Sequence, residues 1–274
     1  MNSVDTLNGR RLDGQVAVVT GAAQGIGRAI AIAFAAAGAR VVIADLRVDQ
    51  ARDVEQTVAE AGSDALACEL DVANPESVAA LFARVIEVFG RVDLLVNNAG
   101  ICPVTAFPTV DLAVWRQVFA VNVEGPLIAT QIAATIMKEQ EPHPISGCRG
   151  KIINVSSPAA EIGRPLFAAY GASKAALNHL TKTAAVVLEP ALISTSALYP
   201  GSVKGPLWDA LMDDLVAADG RDREVILAER TAGMPRGRFQ FPEEVAAMAL
   251  YIAAYPGMAL NGKVLWSEPH VATV

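Results

Sequence analysis

Short apolar runs and amphipathic stretches alternate along almost the whole chain. Gln15–Thr20 (QVAVVT) is a run of valines bounded by Gly14 and Gly21, the form of a strand buried on both faces. From Gly25 the apolar side chains recur at Ile26, Ile30, Phe34 and Ala37 until Gly38, a helical period with a glycine stop. Strands are expected at Arg40–Asp45, Ala65–Leu70 and Val92–Asn97, separated by a charged helix to about Ala61 and a helix opened by Pro75. A long helix around Trp115–Lys138 leads to a strand at Lys151–Ser156, a helix from about Ala168 to Leu188 and a strand near Leu192–Leu198. The segment from Gly205 to about Gly237 reads as irregular, broken by Pro206, Gly220, Gly233 and Pro235, and is expected to form a lid over a site. A helix at Glu243–Ala254 and a strand at Lys263–Trp266 close the pattern.

Alternating helices and wholly apolar strands predict an α/β fold in three layers, doubly wound around a parallel seven-stranded sheet. No repeat or linker divides the chain, so a single domain over residues 1–274 is expected, with 1–13 as an N-terminal extension. The 53% of hydrophobic residues is ample for its core. The net charge of -7 argues against nucleic acid or an anionic membrane as main partner and leaves a small-molecule substrate. Three widely spaced cysteines (Cys68, Cys102, Cys148) read as free thiols of a reducing compartment. His143, His179 and His270 are too scattered to build a metal site. The polar start lacks a signal peptide's apolar core, and Ala29–Ala39 is too short to span a bilayer. A cytoplasmic enzyme is the expectation.

The chemistry gathers at strand ends. Thr20-Gly21-Ala22-Ala23-Gln24-Gly25-Ile26-Gly27 joins the first strand to the first helix. Glycines there permit a tight turn and close approach to a pyrophosphate, which the helix N-terminus attracts. Asp45 ends the second strand 18 residues beyond Gly27; its carboxylate can accept from adenosine ribose hydroxyls and repel a 2′-phosphate. No basic residue stands in Ala22–Gln24, although Arg47 lies two residues after Asp45, so NAD is expected over NADP. Asp71, before Val72, is placed for adenine or for capping the next helix. Tyr170 and Lys174 are four apart within a helix and share a face. A lysine ammonium about 5 Å from the phenol supplies about 3 kcal/mol at an effective dielectric near 20, enough to lower the phenol pKa by about two units. Ser157 follows the fifth strand and can bond a substrate oxygen or form a turn; Asn122 can distort the long helix and hold a water or satisfy buried backbone.

Taken together, these motifs resemble the short-chain dehydrogenase/reductase family. Thr20–Gly27 matches its TGxxxGxG loop, Asn97-Asn98-Ala99-Gly100 its NNAG strand end, and Pro200-Gly201 its turn after the sixth strand. Asn122, Ser157, Tyr170 and Lys174 fall where the family keeps its catalytic residues. The resemblance implies a Rossmann fold. It assigns Tyr170 as general acid/base, Ser157 as the group polarising the substrate oxygen, and Lys174 as the residue that lowers the Tyr170 pKa and binds the nicotinamide ribose. Asn122 would position a relay water; Asn98 would pack by the adenosine, and Val203 would contact the nicotinamide carboxamide. It further implies a homotetramer, or at least a dimer, through the two long helices.

Departures from the family pattern stand at Gly205, where a threonine is usual, at Ser196, and at the end of the chain, where Trp266-Ser267-Glu268-Pro269-His270 replaces a VDGG-like finish. Cys102, Val104, Ala159, Ile162, Leu207 and Trp208 are the expected pocket contributors, and their apolar character favours a hydrophobic secondary alcohol or ketone over a sugar. Arg164 can recognise a carboxylate, and Trp115 and Trp266 are expected in the core or an interface. The leading reading is an NAD-dependent alcohol dehydrogenase. Its competitors are an NADPH-dependent ketone or 3-ketoacyl reductase, opposed by Asp45, and a non-catalytic NAD-binding sensor, opposed by the intact Ser157, Tyr170, Lys174 and Asn122.

Overall fold

The computed structural model describes residues 12–104, 107–232, 234 and 236–268. Among the described residues seven parallel strands alternate with nine α-helices: β1 (Val16–Thr20), α1 (Gly25–Ala36), β2 (Arg40–Asp45), α2 (Val48–Glu60), β3 (Ala65–Glu69), α3 (Pro75–Phe89) and β4 (Leu94–Asn97) in the first half. The second half comprises α4 (Leu112–Phe119), α5 (Gly125–Lys138), β5 (Gly150–Val155), α6 (Ala168–Leu188), β6 (Ile193–Tyr199), α7 (Pro206–Asp219), α8 (Arg223–Ala232), α9 (Pro242–Ala254) and β7 (Val264–Trp266). The sheet runs β3-β2-β1-β4-β5-β6-β7, the doubly wound arrangement expected from the alternation. The winding reverses between β1 and β4, and the crevice this opens at the carboxyl ends is where such sheets bind ligands.

Side-chain alternation along β1 and β2 divides the core. Ala17, Val19, Val41 and Ile43 pack on one face with α1, α2 and α9; Val16, Val18, Val42 and Ala44 pack on the other with α3 and α5. Residues on both faces are apolar, so these strands carry no polar-out pattern. Lys151 on β5 is only 4% exposed. Its ammonium donates to the carbonyls of Ala253 (2.9 Å) and Tyr255 at the end of α9, and burial lowers its pKa to about 8.

Two readings of the pattern are corrected. The long helix at Trp115–Lys138 is two helices joined by a wide π-turn at Ala120–Glu124. Residues 206–232, read as irregular, form α7 and α8. The breakers are caps there: Pro206 starts α7 and left-handed Gly220 ends it, while Leu211, Met212, Leu215 and Ile226 bury a common apolar face. Gly233, Pro235, Pro269 and His270 lie outside the described residues, as does most of the N-terminal extension. Leu12, within that extension, is fully buried in the core beside α1. The helical run Leu112–Lys138 is long and apolar enough to cross a membrane by length and composition, with 33% of its most apolar window buried. Its inward side packs on the sheet through Ala129, Ala133 and Met137.

Candidate active site

One large cavity opens at the carboxyl edge of the sheet, and the expected phosphate loop forms one end. Gly21 and Gly25 both take positive φ, 64° and 54°, which side-chain-bearing residues seldom adopt. A Cβ on Gly27 would run into the Gly21 carbonyl and the Asn98 amide, so only glycine lets α1 start this close to β1. Gln24 makes no side-chain cap bond at that start, leaving the first-turn N–H groups for a ligand. Asn98 stitches the loop to β4: its side-chain amide donates to the carbonyls of Thr20 (2.9 Å) and Gly21 (3.0 Å). In return the Thr20 hydroxyl accepts from the N–H groups of Asn98 and Ala99, each at 3.1 Å.

Asp45 is 5% exposed at the end of β2. One of its carboxylate oxygens accepts from Ala23 N–H at 3.0 Å; the other accepts from the Arg47 main chain at 3.0 Å and its guanidinium at 3.3 Å. Arg47 also donates to the Gln24 side chain at 2.6 Å, and Gln24, Asp45 and Arg47 line the cavity together. A glycine cradle, an uncapped helix start and a carboxylate beside them suit a dinucleotide.

In the cavity wall, Ser157 follows β5 and caps a short turn, its hydroxyl accepting from Ala159 N–H at 3.2 Å. That hydroxyl is also close enough to the Tyr170 phenol to lower its pKa. Gly171 lets this turn approach α6, because a Cβ there would sit 2.8 Å from the Ala159 carbonyl. One turn along α6, Lys174 is 4% exposed. Its ammonium donates to the Val155 carbonyl at 2.8 Å and lies 5.7 Å from the centre of the Tyr170 ring. Asn122, fully buried in the π-turn, exchanges hydrogen bonds with the Ile101 main chain, both at 2.9 Å, and donates to Ser173 at 3.1 Å. Its side chain thereby holds the helix break against α6.

The electrostatics of the bare protein depart from the expectation that Lys174 lowers the Tyr170 pKa. Burial pushes the phenol up, the Cys102 thiol reinforces the rise, and the Ser157 hydrogen bond offsets part of it. Lys174 is itself lowered to about 8 by burial. Burial thus disfavours the charged form of both groups in the bare protein. Cys102 is pushed up to about 12, again by burial, which makes it an unreactive wall residue.

The cavity wall contains Gly21, Gln24, Gly25, Ile26, Asp45, Asn98, Gly100, Cys102, Ser157, Ala159, Ile162, Tyr170, Lys174, Pro200, Gly201, Val203, Leu207 and Trp208 of the expected residues. Gly27, Asp71, Val72, Val104 and Asn122 are not part of it. Asp71 instead accepts from Ala73 N–H at 2.9 Å in the turn leading to α3, Val72 packs against Gly125, and Val104 packs against the apolar cluster of α7 and α8. The sequence reading missed Phe167, Lys204, Leu211, Met234, Trp266 and Glu268 as wall residues. Trp266, expected in core or interface, meets Tyr199 edge-on at 4.8 Å and faces the cavity. The signal for it was available, since residues just beyond parallel strands border the ligand crevice and Trp266 ends β7. Among the described residues no group of His, Cys, Asp and Glu can hold a metal.

The chain is similar to known proteins over most of its length. The family model for short chain dehydrogenase matches residues 15–215. The chain is 36% identical to a sorbitol dehydrogenase of Cereibacter sphaeroides, covering 89% of this chain and 91% of that one. It is 35% identical to a galactitol 2-dehydrogenase of Agrobacterium fabrum, covering 89% and 92%. A solved structure described as an NAD(P) dependent gluconate 5-dehydrogenase from Beutenbergia cavernae, with NADP bound at low occupancy, superposes with a TM-score of 0.82 at 34% identity, covering 95% and 98%.

Proposed function

The chain belongs to the short-chain dehydrogenase/reductase family, and we propose that it oxidises a secondary alcohol with an apolar body to the ketone, using NAD. The observation that carries this reading is the cluster of Ser157, Tyr170 and Lys174 in the same cavity as the glycine loop and Asp45. Gly21, Gln24, Gly25, Ile26, Asp45 and Asn98 would hold the adenosine and pyrophosphate end, with Lys174, Pro200, Gly201 and Val203 at the nicotinamide. When bound, the nicotinamide supplies the hydride acceptor and a positive charge. Ser157 donates to the substrate oxygen, and Tyr170 takes its proton. Lys174, drawn off the Val155 carbonyl, carries the charge that stabilises the phenolate. Cys102, Ile162, Phe167, Trp208 and Leu211 exclude water and fit a hydrocarbon frame.

NADP is the second reading of the cofactor, favoured by Arg47 at the cavity wall and by the NADP-bound neighbour. Against it, the Arg47 guanidinium is engaged with Asp45 and Gln24, and Asp45 would repel a 2′-phosphate. The test is reduction of NAD and of NADP with a panel of secondary alcohols, beside Tyr170→Phe. Turnover with NAD that vanishes in the variant is expected. Turnover surviving Tyr170→Phe refutes the assigned base, and a preference for NADP refutes the cofactor. The site of action proposed is the cytoplasm. The assembly proposed is a homotetramer built on α5 and α6, whose outer sides form an apolar cleft with Leu127, Leu180 and Val187 on its walls.

A further inference from the structure

Glu268 is 8% exposed and lines the active-site cavity, yet its carboxylate has no hydrogen bond or ion pair among the described residues. It is held over the main chain of Gly201, where an added Cβ would meet it. Beside it Gln240, 1% exposed, joins the turn after β6 to Ser267, the residue before Glu268. The Gln240 side chain accepts from Gly201 N–H at 2.9 Å and from the Ser267 hydroxyl at 3.0 Å, and donates to the Ser267 carbonyl at 2.9 Å. The guanidinium groups of Arg236 and Arg238 are near enough to influence Glu268 but are bound to Glu244, at 2.5 and 2.9 Å. Burial accordingly raises the Glu268 pKa.

A nearly buried acid at a cavity wall, without a donor among the described residues, is costly to the free protein unless a ligand supplies one. We propose that Glu268 binds a second hydroxyl of the substrate, so that the alcohol oxidised here is a diol or polyol whose other hydroxyl lies across an apolar frame from the reacting carbon. An ammonium would satisfy the carboxylate too, but exposed Arg164 and Lys204 line the same cavity and disfavour a cationic substrate. The inference rests on the proposed dehydrogenase function and narrows its substrate class.

The experiment compares cyclohexanol with the cyclohexane-1,2-, 1,3- and 1,4-diols in wild type, Glu268→Gln and Glu268→Ala. Thermal unfolding checks that each variant is folded, and the near-isosteric Gln variant carries the test if the Ala variant is not. At least one diol is expected to exceed cyclohexanol in kcat/KM by roughly 10- to 100-fold in wild type, the range of one hydrogen bond to a charged group. That ratio should collapse toward one in both variants. Diol binding to the NADH complex, followed by tryptophan fluorescence, is measured alongside. Glu268-dependent binding without turnover would sustain the inference while refuting the dehydrogenase reading. A wild-type preference for cyclohexanol over every diol, a ratio unchanged in Glu268→Gln, or neither binding nor turnover of any diol overturns the inference.

Discussion

Replacing Lys174 by methionine removes the one lysine placed to stabilise a Tyr170 phenolate. The ammonium lies 5.7 Å from the ring centre. For a charge spread over the ring, at an effective dielectric near 20, the interaction is about 3 kcal/mol, or about two pKa units. The sign follows from charge: the ammonium favours the phenolate, so its loss raises the Tyr170 pKa. The kcat/KM of Lys174→Met for alcohol oxidation at pH 7.5 should therefore fall about 100-fold, and the rising limb of its pH profile should move up by about two units. In wild type the same profile should turn down above about pH 8, where Lys174 of the free enzyme gives up its proton. The assay is initial-rate NADH formation from pH 6 to 11, with NAD binding measured separately because Lys174 is also assigned to the ribose. A variant profile that keeps the wild-type rising limb and loses only cofactor affinity would refute the electrostatic role.

Three further outcomes are expected. Asp45→Ser removes the acid that opposes a 2′-phosphate and releases Arg47, so the ratio of kcat/KM for NADP over NAD should rise at least about tenfold; an unchanged ratio would sink the role given to Asp45. Lys151→Met leaves the Ala253 and Tyr255 carbonyls unpaired and should cost about 2 kcal/mol in urea unfolding at pH 7. Because Lys151 titrates near 8 when folded, against 10.5 for a solvated lysine, the unfolded chain binds the extra proton between those values. Wild-type stability should then gain on the variant by up to about 3 kcal/mol from pH 8 to 10.5; a gap flat in pH contradicts the buried lysine. Val187→Glu on the outer side of α6 should shift the sedimenting species from tetramer toward smaller forms; a wild-type monomer would refute the assembly.

The fold was legible because β1 and β2 are apolar on both faces and the turns carry specific glycines. Asp45, Ser157 and Pro200 each follow from one rule, that a doubly wound sheet presents its strand ends to the ligand. The helices of residues 206–232 were read as irregular because Gly and Pro carry two meanings. Pro206 and Gly220 bound α7 rather than break a loop, and only the tertiary burial of Leu211, Met212 and Leu215 distinguishes the two. The π-turn was half visible: Asn122 pointed to a distortion, but its bonds to Ile101 and Ser173 are set by segments far apart in sequence.

Glu268 shows the deeper limit. By sequence it is an acid near the end of a chain, and acids there are ordinarily solvated. Its burial depends on Gln240, 28 positions earlier, tying Ser267 to Gly201, a contact that leaves no periodic trace. Chemistry that rests on backbone geometry repeats as a motif and can be read along the chain. Specificity here is built from single side chains brought together across β6 and β7, so the reaction class is written in the sequence while the substrate's second contact is written only in the fold.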